Sequence, residues 1–492
     1  MRRLAILAIV VPTLLAGAAP ASSAPDDMRI VDAARRRDMA AIRALLSQGA
    51  HVNAPHGDGT TALHWAAYFD DTAAVDLLVQ AKANVNAAND LGVTPLYLAA
   101  SNGSGAVCRA LLVAGANPNA AATPTNETPL MIASRTGSVT AVEALLAHGA
   151  NVNAVEGAHG QTALMWAVAN RHPRVAEVLL KKGADVNARS RLDPVMVMID
   201  KSREFIWGGS TPLLFAARSG DIPSAVVLLA AGAQVNDTTP DGTSVLTFAA
   251  HSGHGEFAAF LLDRGADSNA AASGYTALHA AVLRGDLGLV KALLAHKADP
   301  NATVQRGTPT NRDSKDYALS SAWVGATPFW LAAKFVEPQI MQTLAAAGAD
   351  PSLATPDGTT PLMVAAGAGH AGRVGVDDRR GRRRDPIEIA IAKESGEDER
   401  QALEAVKVVT EIGKYDVNAR NAAGDTAVHA AVSNRYASVV RWLAGNGAKL
   451  DLVNKRGQTP LSIAGTRFRG QADEGSVDEE MIELLRQLGV SR

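Results

Sequence analysis

Few side chains in this chain of 492 residues have the type and spacing that chemistry needs. His251 and His254 form an H-x-x-H pair, which could offer two imidazoles to one metal ion. His254 stands in a Gly-His turn, however, and this favours a structural role, so no metal site is expected. His64, His279 and His429 recur at the fourth place of a T-x-L-H or T-x-V-H sequence, a periodic placement rather than a catalytic cluster. Cys108 is the single cysteine, so an intramolecular disulfide framework is excluded, and its inward apolar position suits a small buried hydrophobe. The chain contains no G-x-x-x-x-G-K-[ST], no H-E-x-x-H, no G-x-S-x-G and no paired-cysteine motif. The reading is a protein without catalytic residues or cofactor.

The elements that position these residues repeat. Residues 128–154, TPLMIASRTGSVTAVEALLAHGANVNA, carry the unit in full. Thr128 can cap a helix whose first residue is Pro129, where the missing N–H costs nothing. Leu130, Ile132 and Ala133 give that helix an apolar side, and Gly137 can adopt the left-handed conformation that stops it. Ala141, Val142, Leu145 and Leu146 form one face of a second helix, which Gly149 ends in the same way. The polar run after it turns the chain outward before the next threonine.

Anchors equivalent to Thr128 stand at Thr61, Thr94, Thr162, Thr211, Ser244, Thr276, Thr327, Thr360, Thr426 and Thr459. From Thr61 onward their spacings are 33, 34, 34, 49, 33, 32, 51, 33, 66 and 33, so one period of about 33 survives three insertions. A degenerate first unit over residues 28–54 brings the count to twelve, with Arg35, Arg36, Arg37 and Asp38 suited to a polar cap.

The pattern T-P-L-x-x-A-A, G-x, V-x-x-L-L-x-x-G-A-x-x-N-A resembles the ankyrin repeat, over nearly all of the chain after residue 25. The resemblance implies an all-α ankyrin-repeat solenoid of helix-turn-helix units with β-hairpin fingers, about twelve repeats with three long insertions. It implies that His64, His279 and His429 hydrogen-bond neighbouring loops. It also implies that the two positions after each T-P-L-x-x-A-A face a concave groove. Across the anchored repeats these positions carry no acid. The expected partner-binding residues among them are Tyr68, Phe69, Arg135, Arg218, His251, Arg284 and Lys334. The runs GATPFWLAAKF and PDGTTPLMVAAGAGH are further similar to exported ankyrin repeat proteins of environmental bacteria, a group that implies no enzymatic activity.

Residues 1–24 stand apart. Arg2 and Arg3 precede the apolar run Leu4 to Leu15, and small residues follow, the layout of a secretory signal peptide with cleavage near Ala21 or Ala24. The run is too short to span a bilayer, and Ala18 stands where a lipidated cysteine would be, so no membrane anchor is expected. The array then occupies residues 25–492, with insertions at 189–210, 303–325 and 371–399. The first holds Phe205, Ile206 and Trp207 and either packs back on the array or forms a binding loop. The third holds Arg373 and the Arg379 to Arg384 cluster, with the composition of a solvated loop. A formal net charge of -2 argues against nucleic acid as a partner.

Together these readings describe a noncatalytic protein-binding scaffold, periplasmic or secreted, whose unidentified partner presents an acidic surface. An accessory subunit of an exported enzyme is the alternative, and an enzyme using an insertion loop is the remote one.

Overall fold

The computed structural model describes residues 28–196, 204–308, 319–368, 396–466 and 477–490. The expected signal peptide, the Arg379 to Arg384 cluster and Arg467 lie outside the described residues.

Helix starts follow from the anchors. Thr94, Thr128, Thr162, Thr327 and Thr426 each accept a hydrogen bond from the backbone N–H three residues on. Where Pro follows the anchor it occupies the first turn, as in Pro129–Thr136 and Pro328–Lys334. Gly137, at φ 79, ends the first of these in the left-handed region. The second helix of a repeat is capped in turn by an acid or a serine. Asp71 Oδ1 accepts from the Ala74 N–H at 2.9 Å, and Ser104 Oγ from the Val107 N–H at 3.2 Å. Most helices run seven to nine residues, too short to persist alone in water, so their stability comes from stacking on neighbours.

The chain divides into two compact units, residues 1–157 and 158–492. In the first unit four helix pairs stack in series, from Arg29–Arg35 with Met39–Ser47 to Pro129–Thr136 with Val139–Ala147. Leu63, Leu78, Leu96, Leu111, Leu130 and Leu145 are buried there, each contributing about 1.5–3 kcal/mol of apolar burial. Eight pairs stack in the second unit, from Ala163–Ala169 to Glu479–Gln487. Among the described residues twelve helix pairs therefore carry the twelve repeats, in an all-α repeat solenoid.

A second device ties repeat to repeat. Asn86 Oδ1 accepts from the Asn117 N–H at 2.7 Å while its Nδ2 donates to the Gly115 carbonyl at 3.0 Å. Asn119 repeats both bonds on Asn151 and Gly149. In the second unit Asn236, Asn269, Asn301 and Asn418 do the same. The Asn301 rung reaches Asp350 and Gly348 across the second insertion, so that insertion leaves the stacking register intact.

Most fingers between repeats close as tight turns. The regular strand pair among the described residues is Asp193–Met196 with Glu204–Trp207, antiparallel, inside the first insertion. Its neck is closed by the Ser190 N–H donating to the Ser210 carbonyl at 3.1 Å. The neck of the second insertion is closed where the Thr308 N–H donates to the Leu319 carbonyl at 2.9 Å, and Val304 and Leu319 are buried. Glu397, Asp398 and Glu399, read from sequence as the end of the third insertion, instead form the first turn of Glu397–Ile412. That helix is longer than its counterparts, and three acids at its N-terminus suit the helix dipole.

Candidate functional site

The residues that looked chemical are committed to structure. His64 Nδ1 lies 3.1 Å from the Thr61 backbone nitrogen and 2.9 Å from its hydroxyl, and Nε2 lies 3.0 Å from the Val93 carbonyl of the next repeat. His429 makes the equivalent contacts with Thr426 and the Gln458 carbonyl, and His279 Nδ1 with Thr276. Burial pushes all three pKa values down, with nearby backbone carbonyls opposing it, and His279 reaches about 4. At pH 7 His64 and His429 are neutral bridges between repeats, whereas His279 is held neutral by burial and its Nε2 has no hydrogen-bond partner among the described residues.

The fourth place does not require histidine. Trp330 fills it and donates from Nε1 to the Thr359 carbonyl at 2.9 Å, the same reach of 29 residues that His64 makes. Tyr97 fills it too, and its hydroxyl donates to Glu127 Oε2 at 2.9 Å. Burial and the Glu127 charge raise the Tyr97 pKa, while the charge of Arg135 acts the other way.

His254 Nε2 lies 2.9 Å from the Arg218 carbonyl, and the His251 ring lies 5.9 Å from that of Tyr275. Among the described residues no three His, Cys, Asp or Glu side chains converge as a metal site would need. Cys108 is buried, and burial followed by the Asp70 charge pushes its thiol up to about 12. It is not a nucleophile at neutral pH.

What remains is the row of side chains at the C-terminal ends of the first helices, the expected groove positions. In the first unit Tyr68 and Phe69 are half-buried and join Trp65 in an aromatic cluster. Trp65 and Phe69 stack at 5.8 Å, Tyr68 meets Phe69 edge-on at 5.1 Å, and the Arg37 guanidinium lies 5.6 Å from the Phe69 ring centre. Arg135 is half-buried and close enough to Tyr97 for its charge to act on the hydroxyl.

In the second unit Arg218 is exposed as expected, and His251 is half-buried. The other two depart from expectation. Arg284 reaches back to the preceding repeat and donates from Nε to the His251 carbonyl at 2.7 Å, with a second bond from Nη2 to the same oxygen. It is a strut between repeats rather than a cation held open to a partner. Lys334 is only 4% exposed. Its ammonium lies 5.4 Å from the Trp323 ring centre, and Trp323 also meets Phe335 edge-on at 5.5 Å. The reason is the second insertion: its short helix Ser321–Trp323 returns over the repeat that follows and covers the position.

Other residues of this row also serve as struts. Asn102 Nδ2 donates to the Ala67 carbonyl at 3.2 Å, and Asn434 Nδ2 to the Gly367 carbonyl at 2.9 Å. The first helices thus use the row to hold repeats together, and only part of it stays available. The residue that sequence reasoning passed over is Arg36, at the position equivalent to Phe69 in the first repeat, exposed and without an ion-pair partner among the described residues. The first repeat lacks the T-P-L register, so its sequence marks Arg36 only as part of a polar cap.

The family model for ankyrin repeats (3 copies) matches residues 30–122, 108–190, 201–304 and 397–487, most of the chain. The chain belongs to the ankyrin repeat family. No curated protein matches it in sequence. The ankyrin assignment accounts for the helix pairs, the threonine anchors and the glycine stops, and makes a protein-interaction scaffold its coarse function. Among the described residues no helix is long and apolar enough to cross a membrane.

Proposed function

We propose that this ankyrin repeat protein is a noncatalytic scaffold, exported to the periplasm or beyond, that binds a protein partner through the row of first-helix C-terminal positions and the fingers beside it. The observation that carries the reading is the division of labour along that row. Arg284, Asn102 and Asn434 are spent on holding repeats together, while Arg218 is exposed and Tyr68 with Phe69 presents an aromatic step. Large aromatics and arginines are the residue types that dominate binding energy at protein interfaces. Export rests on Arg2, Arg3, the apolar run Leu4 to Leu15 and the small residues after it.

The test is capture by the immobilised full chain from the exported protein fraction, with the captured protein identified by mass spectrometry. Arg218→Glu is expected to lose that protein while the melting curve stays in place, since an exposed substitution changes stability by about 0.5 kcal/mol or less. Equal capture by both chains at low and high salt would overturn the proposal. A partner enzyme that co-purifies stoichiometrically and loses activity without the scaffold would place it as an accessory subunit.

A further inference from the structure

The first repeat carries an excess of arginine. Residues 28–54 hold Arg29, Arg35, Arg36, Arg37 and Arg43 against two acids, in a protein whose formal net charge is -2. Both acids are occupied. Asp32 lies 3.5 Å from Arg35 and 3.6 Å from His56, and Asp38 caps the second helix by accepting from the Ala41 N–H at 2.9 Å. Arg36 is exposed, and its side chain has no ion-pair or hydrogen-bond partner among the described residues. The first helix of this repeat, Arg29–Arg35, packs against Ala62–Tyr68, whose C-terminal end carries the aromatic step. Arg37 joins the two features, its guanidinium lying against Phe69.

We infer that this end of the first unit is the docking site for an extended, acidic protein segment that carries an aromatic side chain. The inference rests on the scaffold reading and adds where the partner is engaged and by what chemistry. Carboxylates of the segment pair with Arg36 and Arg37, for which the repeat itself supplies no free acid. The aromatic side chain joins the edge-to-face cluster of Trp65, Tyr68 and Phe69, where rings already meet at 86° and 71° and a further ring can add in the same way. Charge complementarity decides between an acidic and a basic occupant. The aromatic step favours a protein segment over a bare anionic surface, because Phe69 lies stacked on Trp65 and half-buried, where a side chain can pack against it, and does not stand clear of the protein as a ring that inserts among lipids must.

The experiment uses the full chain and two fluorescein-labelled peptides, one with glutamates flanking a Phe-Tyr pair and one with lysines in place of the glutamates. Anisotropy is read at about 50 and about 500 mM salt. The variants are Arg36→Glu combined with Arg37→Asn, and separately Arg109→Glu, at an exposed position of the second helix Gly105–Val113. Asn is chosen because Arg37 sits at φ 59, a left-handed conformation that Asn tolerates. The expected result is binding of the acidic peptide at least about tenfold tighter than the basic one, weakened by salt, lost about tenfold in the double variant and unchanged in Arg109→Glu. Equal binding of the two peptides, or an unchanged affinity in the double variant, overturns the inference. So does stronger retention by vesicles of phosphatidylcholine and phosphatidylglycerol than by the acidic peptide. If Arg218→Glu abolishes partner capture while the double variant does not, the scaffold reading stands and this placement of the site fails.

Discussion

Acidification should loosen the second unit through His279, and the size of the effect follows from its surroundings. The imidazole is fully buried, and burial lowers its pKa to about 4, against 6.5 for the unperturbed group. A base whose pKa is lower in the folded chain takes up its proton more readily when unfolded. The stabilising contribution is therefore complete above about pH 6.5 and is lost as pH falls toward about 4. At about 1.36 kcal/mol for each pH unit, the loss from this one residue is about 2 kcal/mol at pH 5 and about 3 kcal/mol at pH 4. The comparison chain is His279→Met, because Met131 and Met165 occupy the same place in other repeats and are fully buried there. Backbone hydrogen exchange over residues 276–295, followed between pH 7 and pH 4.5 and corrected for intrinsic exchange, isolates the local opening free energy from the other titrating groups. The native chain should lose protection steeply below pH 6.5, and His279→Met should lose markedly less. Parallel pH profiles in the two chains would refute the argument that burial of a neutral imidazole sets the acid stability of this repeat.

Leu145→Ala, at a side chain with no exposure, should cost about 2–5 kcal/mol and lower the melting temperature of the first unit, read by calorimetry. Arg284→Glu should destabilise the second unit by about 1.5–3 kcal/mol by removing charge-assisted bonds to the His251 carbonyl, whereas Arg218→Glu should shift the melt by about 0.5 kcal/mol or less. Asn119→Ala should cost about 0.5–1.5 kcal/mol, since it removes exposed bonds to the Asn151 N–H and the Gly149 carbonyl whose groups water can then satisfy, and urea denaturation checks it.

The repeat was legible in the sequence because its signals are local. A threonine before a proline caps a helix wherever it stands, and Gly137 stops one because a Cβ penalises the left-handed region. The same logic read the histidines as structural bridges. It did not foresee that Tyr97 and Trp330 make an equivalent bridge, because only the third dimension brings the Glu127 carboxylate and the Thr359 carbonyl within reach. The fate of the first-helix end positions is half legible. Counting from each anchor locates Tyr68, Arg218 and Arg284 correctly at the helix ends. Counting cannot show that an arginine is long enough to bond a carbonyl of the preceding repeat. Nor can it show that Trp323, in an insertion with no repeat register, returns to cover Lys334. Periodicity fixes where a side chain starts, and packing decides whether its charged end reaches solvent.

The central claim, that a protein partner is bound on the row of first-helix ends and not on the outer helices, is tested most directly by photocrosslinking in the producing cell. A photoreactive residue is placed at Tyr68 or at Arg218 on the row, and at Val113 or Val226 on exposed positions of second helices. The account predicts one covalent protein adduct, of the same partner, from Tyr68 or Arg218 and none from Val113 or Val226. Adducts from the second helices alone, with none from the row, would contradict it.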